Sequence, residues 1–398
     1  MKVLMFGWEF PPLSSGGLGT ACYGLTKSLS KKGAEITFVL PYSFDAGDAD
    51  FLKLVSASNI KIRKIESALQ PYMTSREYRK TLGKKPSPKI YGSTLFDEVY
   101  RYTLAAERIA EEEDFDVIHC HDWMTFGAGI SAKRKKNKPL VLHVHATEHD
   151  RTGGHQVNQY VYDLERSGMH KADKVIAVSN FTKNKIITHY GIPEEKISVV
   201  HNAVDFSQHY CDENFEIKKT DKIVLFLGRI TLQKGPDYFL YAAKKVMEHE
   251  KNVKFVVAGS GDMEPFIIEK AAELGIADKV LFAGFLNQDD VERAYKMADI
   301  YVMPSVSEPF GITALEAMKN KTPIIVSKQS GVSEVVRHCL KVDFWDVNEI
   351  SNKIIALLRY KTLHETLKDD GYFEVKKFNW DVPAEKCIRV YNQLISKG

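Results

Sequence analysis

Long apolar runs are missing from these 398 residues: no stretch of ~20 consecutive apolar side chains occurs, so no membrane-spanning helix is predicted. Cysteine is scarce and scattered. Cys22, Cys120, Cys211, Cys339 and Cys387 show neither metal nor redox spacing, and their odd number and dispersion suit a reducing compartment. Charge of one sign is missing as well. The formal net charge of +3 is spread along the chain and gives no footprint for nucleic acid or an anionic membrane. The densest basic cluster, Lys133-Arg134-Lys135-Lys136, falls where a helix is expected to stop, and cations there complement the helix dipole. At the N-terminus, Met1 to Gly7 is too short an apolar run for a targeting segment, so a cytoplasmic protein is expected.

What is present is a soluble globular composition, 44% hydrophobic and 27% charged, in a chain longer than one core usually supports. Alternating strand and helix signals predict α/β structure. Two domains are expected, residues 1–206 and 222–378, with a polar linker at 207–221 and a last helix at 379–398. Helices are predicted from Thr20, over Asn348 to Asp369 and over Ala384 to Ser396. Pro71 to Gly92, rich in Lys, Arg, Ser and Pro with three tyrosines, predicts a long mobile insertion.

The stretch Pro304 to Met318 carries the clearest chemistry. An apolar strand, Ala298 to Met303, turns at Pro304 and Pro309 and enters a helix near Thr313. The helix start offers unpaired N–H groups from Gly311 to Thr313, which favour an anion such as a phosphate. Glu308 and Glu316 lie beside that pocket, and carboxylates accept hydroxyls well but bind phosphates poorly. A ligand with phosphates and many hydroxyls, a sugar nucleotide, satisfies both. Near the N-terminus, Gly16, Gly17 and Gly19 lie between a strand and a helix without dinucleotide spacing. A strand at Val117 to Cys120 runs into His121-Asp122-Trp123, and one from Leu140 delivers polar groups, His143 and His145 among them, to its C-terminal edge, where open parallel sheets place ligands. His119-x-His121-Asp122 suggests a metal site, but spacing supplies no further ligand and none is predicted. Asp48 to Asp50 and Asp114 to Asp116 read as turns.

Glu308 and Glu316, with seven residues between them and the first inside Pro-Ser-x-x-Glu-Pro-Phe-Gly, resemble the Glu-x7-Glu signature of retaining glycosyltransferases with the GT-B architecture. Gly-Arg-x4-Lys-Gly at 228–235 resembles the same family, and Gly-Gly-Leu-Gly at 16–19, His-x-His-Asp-Trp at 119–123 and His-Ala-Thr-Glu at 145–148 are most similar to microbial glycogen and starch synthases. Ser14-Ser15 stands where starch synthases usually place a lysine. The resemblance implies two Rossmann-like domains facing across a cleft, with the last helix crossing back onto the first domain. It also implies transfer of glucose from ADP-glucose or UDP-glucose to an α-1,4-glucan, without cofactor or metal. On the donor side it implies phosphate contacts from Gly16, Gly17 and the Phe310, Gly311, Ile312 and Thr313 turn. Ribose contacts come from Glu316, base contacts from the edges at Gly259, Gly261, Phe285 and Leu286, and hexose contacts from Glu308. Arg229 and Lys234 would stabilise the departing diphosphate, and His145, or its neighbour His143, would contact the transferred sugar. Asp122 and Trp123 would face the acceptor. Transfer to another glycan, a lipid or a small acceptor is the neighbouring possibility. A GT-B epimerase, a phosphorylase or a non-catalytic binding protein is the alternative of another class.

Overall fold

Short apolar runs bounded by turn residues become the parallel strands of two sheets in the computed structural model, which describes residues 1–11, 16–41, 60–64, 93–154, 156–206 and 220–396. The insertion expected at Pro71 to Gly92, together with Ser14-Ser15, Asp48 to Asp50 and Cys211, lies outside the described residues. The chain groups into two units. The first comprises Met1–Thr147, Asn158–Asn202 and Trp380–Gly398, and the second Glu148–Val157 and Ala203–Asn379.

In the first unit the strands are β1 (Lys2–Phe6), β2 (Glu35–Leu40), β3 (Ile60–Lys64), β4 (Val117–His121), β5 (Leu140–Val144), β6 (Lys174–Ala177) and β7 (Ile197–Val199). They lie in the order 3-2-1-4-5-6-7, all parallel. The inner strands β1, β4, β5 and β6 are largely buried, as parallel strands covered on both faces are. Helices α1 (Gly17–Lys31), α2 (Ser93–Glu112), α3 (Trp123–Lys136), α4 (Glu148–Arg151), α5 (Gln159–Lys171) and α6 (Asn180–Tyr190) follow the strands in turn. Of these, α4 belongs to the second unit. Ser179 caps α6 by accepting from the Thr182 amide, as its position before the helix predicts. At the end of α3 the basic cluster forms ion pairs, Lys133 with Asp173 and Lys135 with Glu111, which agrees with a solvated helix end.

The second unit repeats the design. Its strands β8 (Lys222–Leu227), β9 (Val253–Ala258), β10 (Val280–Gly284), β11 (Ile300–Met303), β12 (Ile324–Ser327) and β13 (Leu340–Val342) run parallel in the order 10-9-8-11-12-13. Around them lie α7 (Pro236–His249), α8 (Glu264–Glu273), α9 (Gln288–Met297), α10 (Ile312–Lys319), α11 (Val347–Arg359) and α12 (Lys361–Val375). Each sheet has its own apolar core, centred on residues such as Leu4, Ile118 and Leu142 in one and Val224, Phe255 and Ile325 in the other.

Three expected elements differ. The first helix begins at Gly17, not Thr20, with Gly16 as its extended N-cap. Packing outweighs the weak helix propensity of its glycines, since at Gly24 the Trp380 ring lies where a Cβ would be. The long helix expected over Asn348 to Asp369 is two helices that part at Tyr360, whose backbone is extended. No proline or glycine marks the break. It lets α11 bury Ile350, Ile354 and Leu357 in the core while α12 turns onto α10. The last helix, α13 (Asp381–Ile395), starts three residues before the expected Ala384 and packs on α1, as part of the first unit.

Candidate active site

In both units the direction of winding reverses beside the first strand, between β1 and β4 and between β8 and β11. Open α/β sheets bind ligands at the C-terminal ends of the strands flanking that reversal. Most of the candidate residues lie there, and His145, Gly259, Gly261, Phe285 and Leu286 lie at the ends of neighbouring strands.

In the second unit, β8 runs into Gly228-Arg229 and a 3-10 turn over Leu232–Lys234, while β11 runs into Pro304 to Phe310. Backbone bonds tie the two loops, because the Gln233 carbonyl accepts from the Val306 and Ser307 amides at 3.0 and 3.3 Å. This brings Lys234 Nζ to 2.5 Å from Glu308 Oε2, to which Ser305 Oγ also donates at 3.3 Å. Glu308 is only 6% exposed, so its charge is held by this pair and by the loop around it. Arg229 Nη2 donates to Gln233 Oε1 at 3.1 Å on the same turn. From the segment at α4, Asp150 Oδ1 accepts from Ser307 Oγ at 2.6 Å and braces the Glu308 loop.

Gly311, at φ +103°, makes a left-handed turn into α10 that a side chain would strain. The N–H groups of the first turn of α10 have no partner inside the helix. Phe310 is 2% exposed and anchors the turn, its carbonyl accepting from the Val332 amide at 2.6 Å. Ile312 is buried, and Thr313 Oγ1 accepts from Tyr301 at 2.8 Å. One turn on, Glu316 Oε2 accepts from Tyr295 at 3.1 Å. Burial holds the Glu316 carboxyl above the ordinary carboxylate range, against the opposing effects of Tyr295 and Lys319. Gly259 and Gly261 owe their identity to packing: a Cβ would lie 1.9 Å from the Gly228 carbonyl oxygen at one and 2.2 Å from that of Ile230 at the other. They thereby set the backbone path of the Arg229 loop. Phe285 is exposed and Leu286 half-buried just before α9.

In the first unit the ends of β4 and β5 carry four histidines. His121 pairs with His143 in register, and the rings of His119, His121, His143 and His145 stack with neighbouring centroids 4.3–5.4 Å apart. His119 bonds Tyr391 of α13 at 2.5 Å and His143 at 3.2 Å, and His121 Nδ1 lies 3.0 Å from His145 Nε2. Burial depresses the basicity of all four, to about 3 for His119, so they are neutral at neutral pH. His143 is buried and His145 half-buried, so of the two only His145 presents an accessible ring. A neutral pair shares one proton. Among the described residues His121 Nε2 has no hydrogen-bond partner, and an orphaned lone pair there costs less than an orphaned N–H. The favoured arrangement has His121 Nδ1–H donating to His145 Nε2, which leaves His145 with an N–H at Nδ1.

Asp122 has a backbone of φ +61° and ψ 168°, which is strained for a residue with a side chain. Its Oδ1 accepts from the His145 and Ala146 amides at 2.7 and 3.2 Å, so this carboxylate fixes the chain as it leaves β5. Trp123 is 3% exposed in the core against Phe96, where its ring offers no open face to an acceptor. Gly16 and Gly17 open α1, and no described atom lies within 4 Å of a Cβ built at Gly17. Sequence reasoning missed Gln233, Ser305, Tyr295, Asp150 and Ser307, which hold the others in place. Only the histidine alternation on two neighbouring strands was a usable signal, for the ladder.

Comparison with known proteins agrees with this geometry. Residues 211–372 match the family model for glycosyl transferases group 1, and residues 15–208 that for glycosyltransferase family 4. The chain is 30% identical to an uncharacterized glycosyltransferase of Methanocaldococcus jannaschii, covering 98% of both chains. It is 25% identical to a glycogen synthase of Mycobacterium tuberculosis over 84% of this chain and 80% of that one. In structure it is similar to sucrose-phosphate synthase from Thermosynechococcus elongatus, with a TM-score of 0.77, 18% identity and full coverage of both chains. Two Rossmann-like units of parallel sheet, with Arg229, Lys234 and Glu308 gathered where the second sheet reverses and Asp122 beside neutral histidines where the first does, thus have their explanation: the chain belongs to the GT-B glycosyltransferases of group 1.

Proposed function

We propose that this protein is a retaining glucosyltransferase of the glycogen synthase type, moving glucose from ADP-glucose or UDP-glucose to the non-reducing end of an α-1,4-glucan. The observation that carries it is the Lys234–Glu308 pair, which puts a cation and a hydroxyl-accepting carboxylate on adjoining loops beside the open end of α10. Glu308 accepts the hexose hydroxyls, and Glu316 accepts those of the ribose. Amides of Gly311 to Thr313 take the phosphates. Gly259, Gly261, Phe285 and Leu286 border the base, and Phe310 fixes the turn. Arg229 and Lys234 stabilise the diphosphate as its bond to the anomeric carbon breaks. His145 donates to a hydroxyl of the transferred glucose, and Asp122 shapes the acceptor side. The acceptor oxygen bonds the anomeric carbon on the face from which the diphosphate leaves, and its proton passes to the departing diphosphate oxygen.

The test is to incubate the purified protein with glycogen and either ADP-glucose or UDP-glucose, following nucleoside diphosphate release and glucan length against controls without acceptor. Elongation with one donor is expected. Tight nucleoside diphosphate binding without elongation would overturn the glucan acceptor and point to another glycan, a lipid or a small acceptor. Glu308→Ala should abolish transfer and leave nucleotide binding largely intact, and unchanged turnover would remove Glu308 from the reaction.

A further inference from the structure

We infer that Cys22, His121 and His145 form a binding site for a single zinc-type divalent ion. Sequence spacing offers only the two histidines, and the fold brings the thiol to them from α1. Ligand atoms of the three residues lie within 4.8 Å of one another. The two histidines are closer still, with nitrogens 3.0 Å and ring centroids 5.2 Å apart. Tetrahedral zinc with bonds of about 2.0–2.1 Å to nitrogen and about 2.3 Å to sulfur needs donor separations of roughly 3.3–3.7 Å, which small side-chain shifts supply. A mixed thiolate and imidazole set also suits zinc better than magnesium or calcium.

The surroundings fit a cation. Cys22 and His121 are fully buried, while His145 is half-buried and supplies the way in. Two carboxylates, Glu9 at 3% and Asp122 at 6% exposure, act on the Cys22 thiol and push its proton affinity further up, beyond the effect of burial. A divalent ion that displaces the thiol proton meets that same negative field and is stabilised by it. Each neutral imidazole has one ring-nitrogen lone pair to give, so only the thiol must release its proton. The neighbouring triple of His119, His121 and His143 is wholly buried, and His119 is committed to Tyr391, so an ion has no comparable entry there. An ion at Cys22, His121 and His145 takes the His145 ring away from any sugar. Inhibition of transfer therefore follows, and this consequence alone rests on the function proposed above.

The experiment titrates cobalt(II) into the full-length, metal-free protein and reads the thiolate-to-cobalt charge-transfer band and the visible bands of a tetrahedral site. One equivalent with both features is expected. Cys22→Ala should lose the charge-transfer band, and His121→Asn should weaken cobalt binding more than about tenfold, with circular dichroism confirming that each variant is folded. Absence of the band in the wild type, or its persistence in folded Cys22→Ala, overturns the site. For the consequence, zinc should inhibit wild-type transfer, and Cys22→Ala should keep its metal-free rate while needing more than about tenfold more zinc. Cobalt binding with unimpaired transfer would overturn the assignment of His145 to the sugar and leave the metal site standing.

Discussion

Glu308 and Lys234 show how one side chain depends on its partner. The carboxylate is buried, so removing the ammonium leaves a charge with little water to hold it. Lys234→Ala should destabilise the second unit by about 3–5 kcal/mol, less where the loop opens to admit water, which chemical denaturation will measure. It should also lower kcat by about 10²–10³-fold through loss of leaving-group stabilisation. Equal kcat in a folded variant would remove Lys234 from the reaction. Asp122 is the counterpart in the first unit, where strain at its backbone is balanced by the His145 and Ala146 amides. Asp122→Ala should therefore lower activity by moving His145, and a crystal structure of the variant should show the chain displaced beyond β5.

At the scale of the elements, strand ends are set by loops packed directly on one another. Gly259, at φ +131° and against the Gly228 carbonyl, has no room for a methyl group. Gly259→Ala should cost at least about 1–3 kcal/mol and lower the midpoint of thermal unfolding, while also shifting the Arg229 loop and weakening nucleotide diphosphate binding. A variant with wild-type stability would show that this loop pair yields easily. The helix α13 is a second such dependence. Trp380 lies against Gly24, Ser28 donates to Asp381 at 2.7 Å, and Tyr391 reaches His119. Truncation after Asn379 should expose the apolar face of α1 and make the first unit sensitive to limited proteolysis, with the second unit resistant.

For the whole molecule, the buried carboxyl of Glu316 sets a cost in stability that depends on pH. Below its ordinary value of 4.5 the group is protonated both folded and unfolded and contributes no difference. As pH rises past 4.5 the unfolded chain ionises first, so stability falls until the folded carboxyl, held higher, ionises too. Glu316→Gln should consequently raise the thermal midpoint at neutral pH but not near about pH 4, while weakening binding of the donor. Equal gains at both pH values would exclude this carboxyl as the source. Such a trade of stability for a ligand contact is common at functional sites.

Much of the molecule was legible along the chain because its signals are local. Apolar runs buried on both faces marked the strands, Ser179 and the Lys133 cluster marked helix ends, and the Pro304 to Met318 turn marked a helix start. Those patterns depend on backbone geometry that neighbouring residues impose. The tertiary structure alone decided the rest. Burial separated His143 from His145, turned Trp123 into core and split the helix at Tyr360, since each outcome depends on which distant surface is covered. It also brought Gln233, Ser307 and Asp150 to the Glu308 loop, and Cys22 to the histidines. Sequence by itself determined the class of fold and the residue types available for chemistry; the packing of parallel strands, which aligns ends far apart in the chain, determined which of them meet.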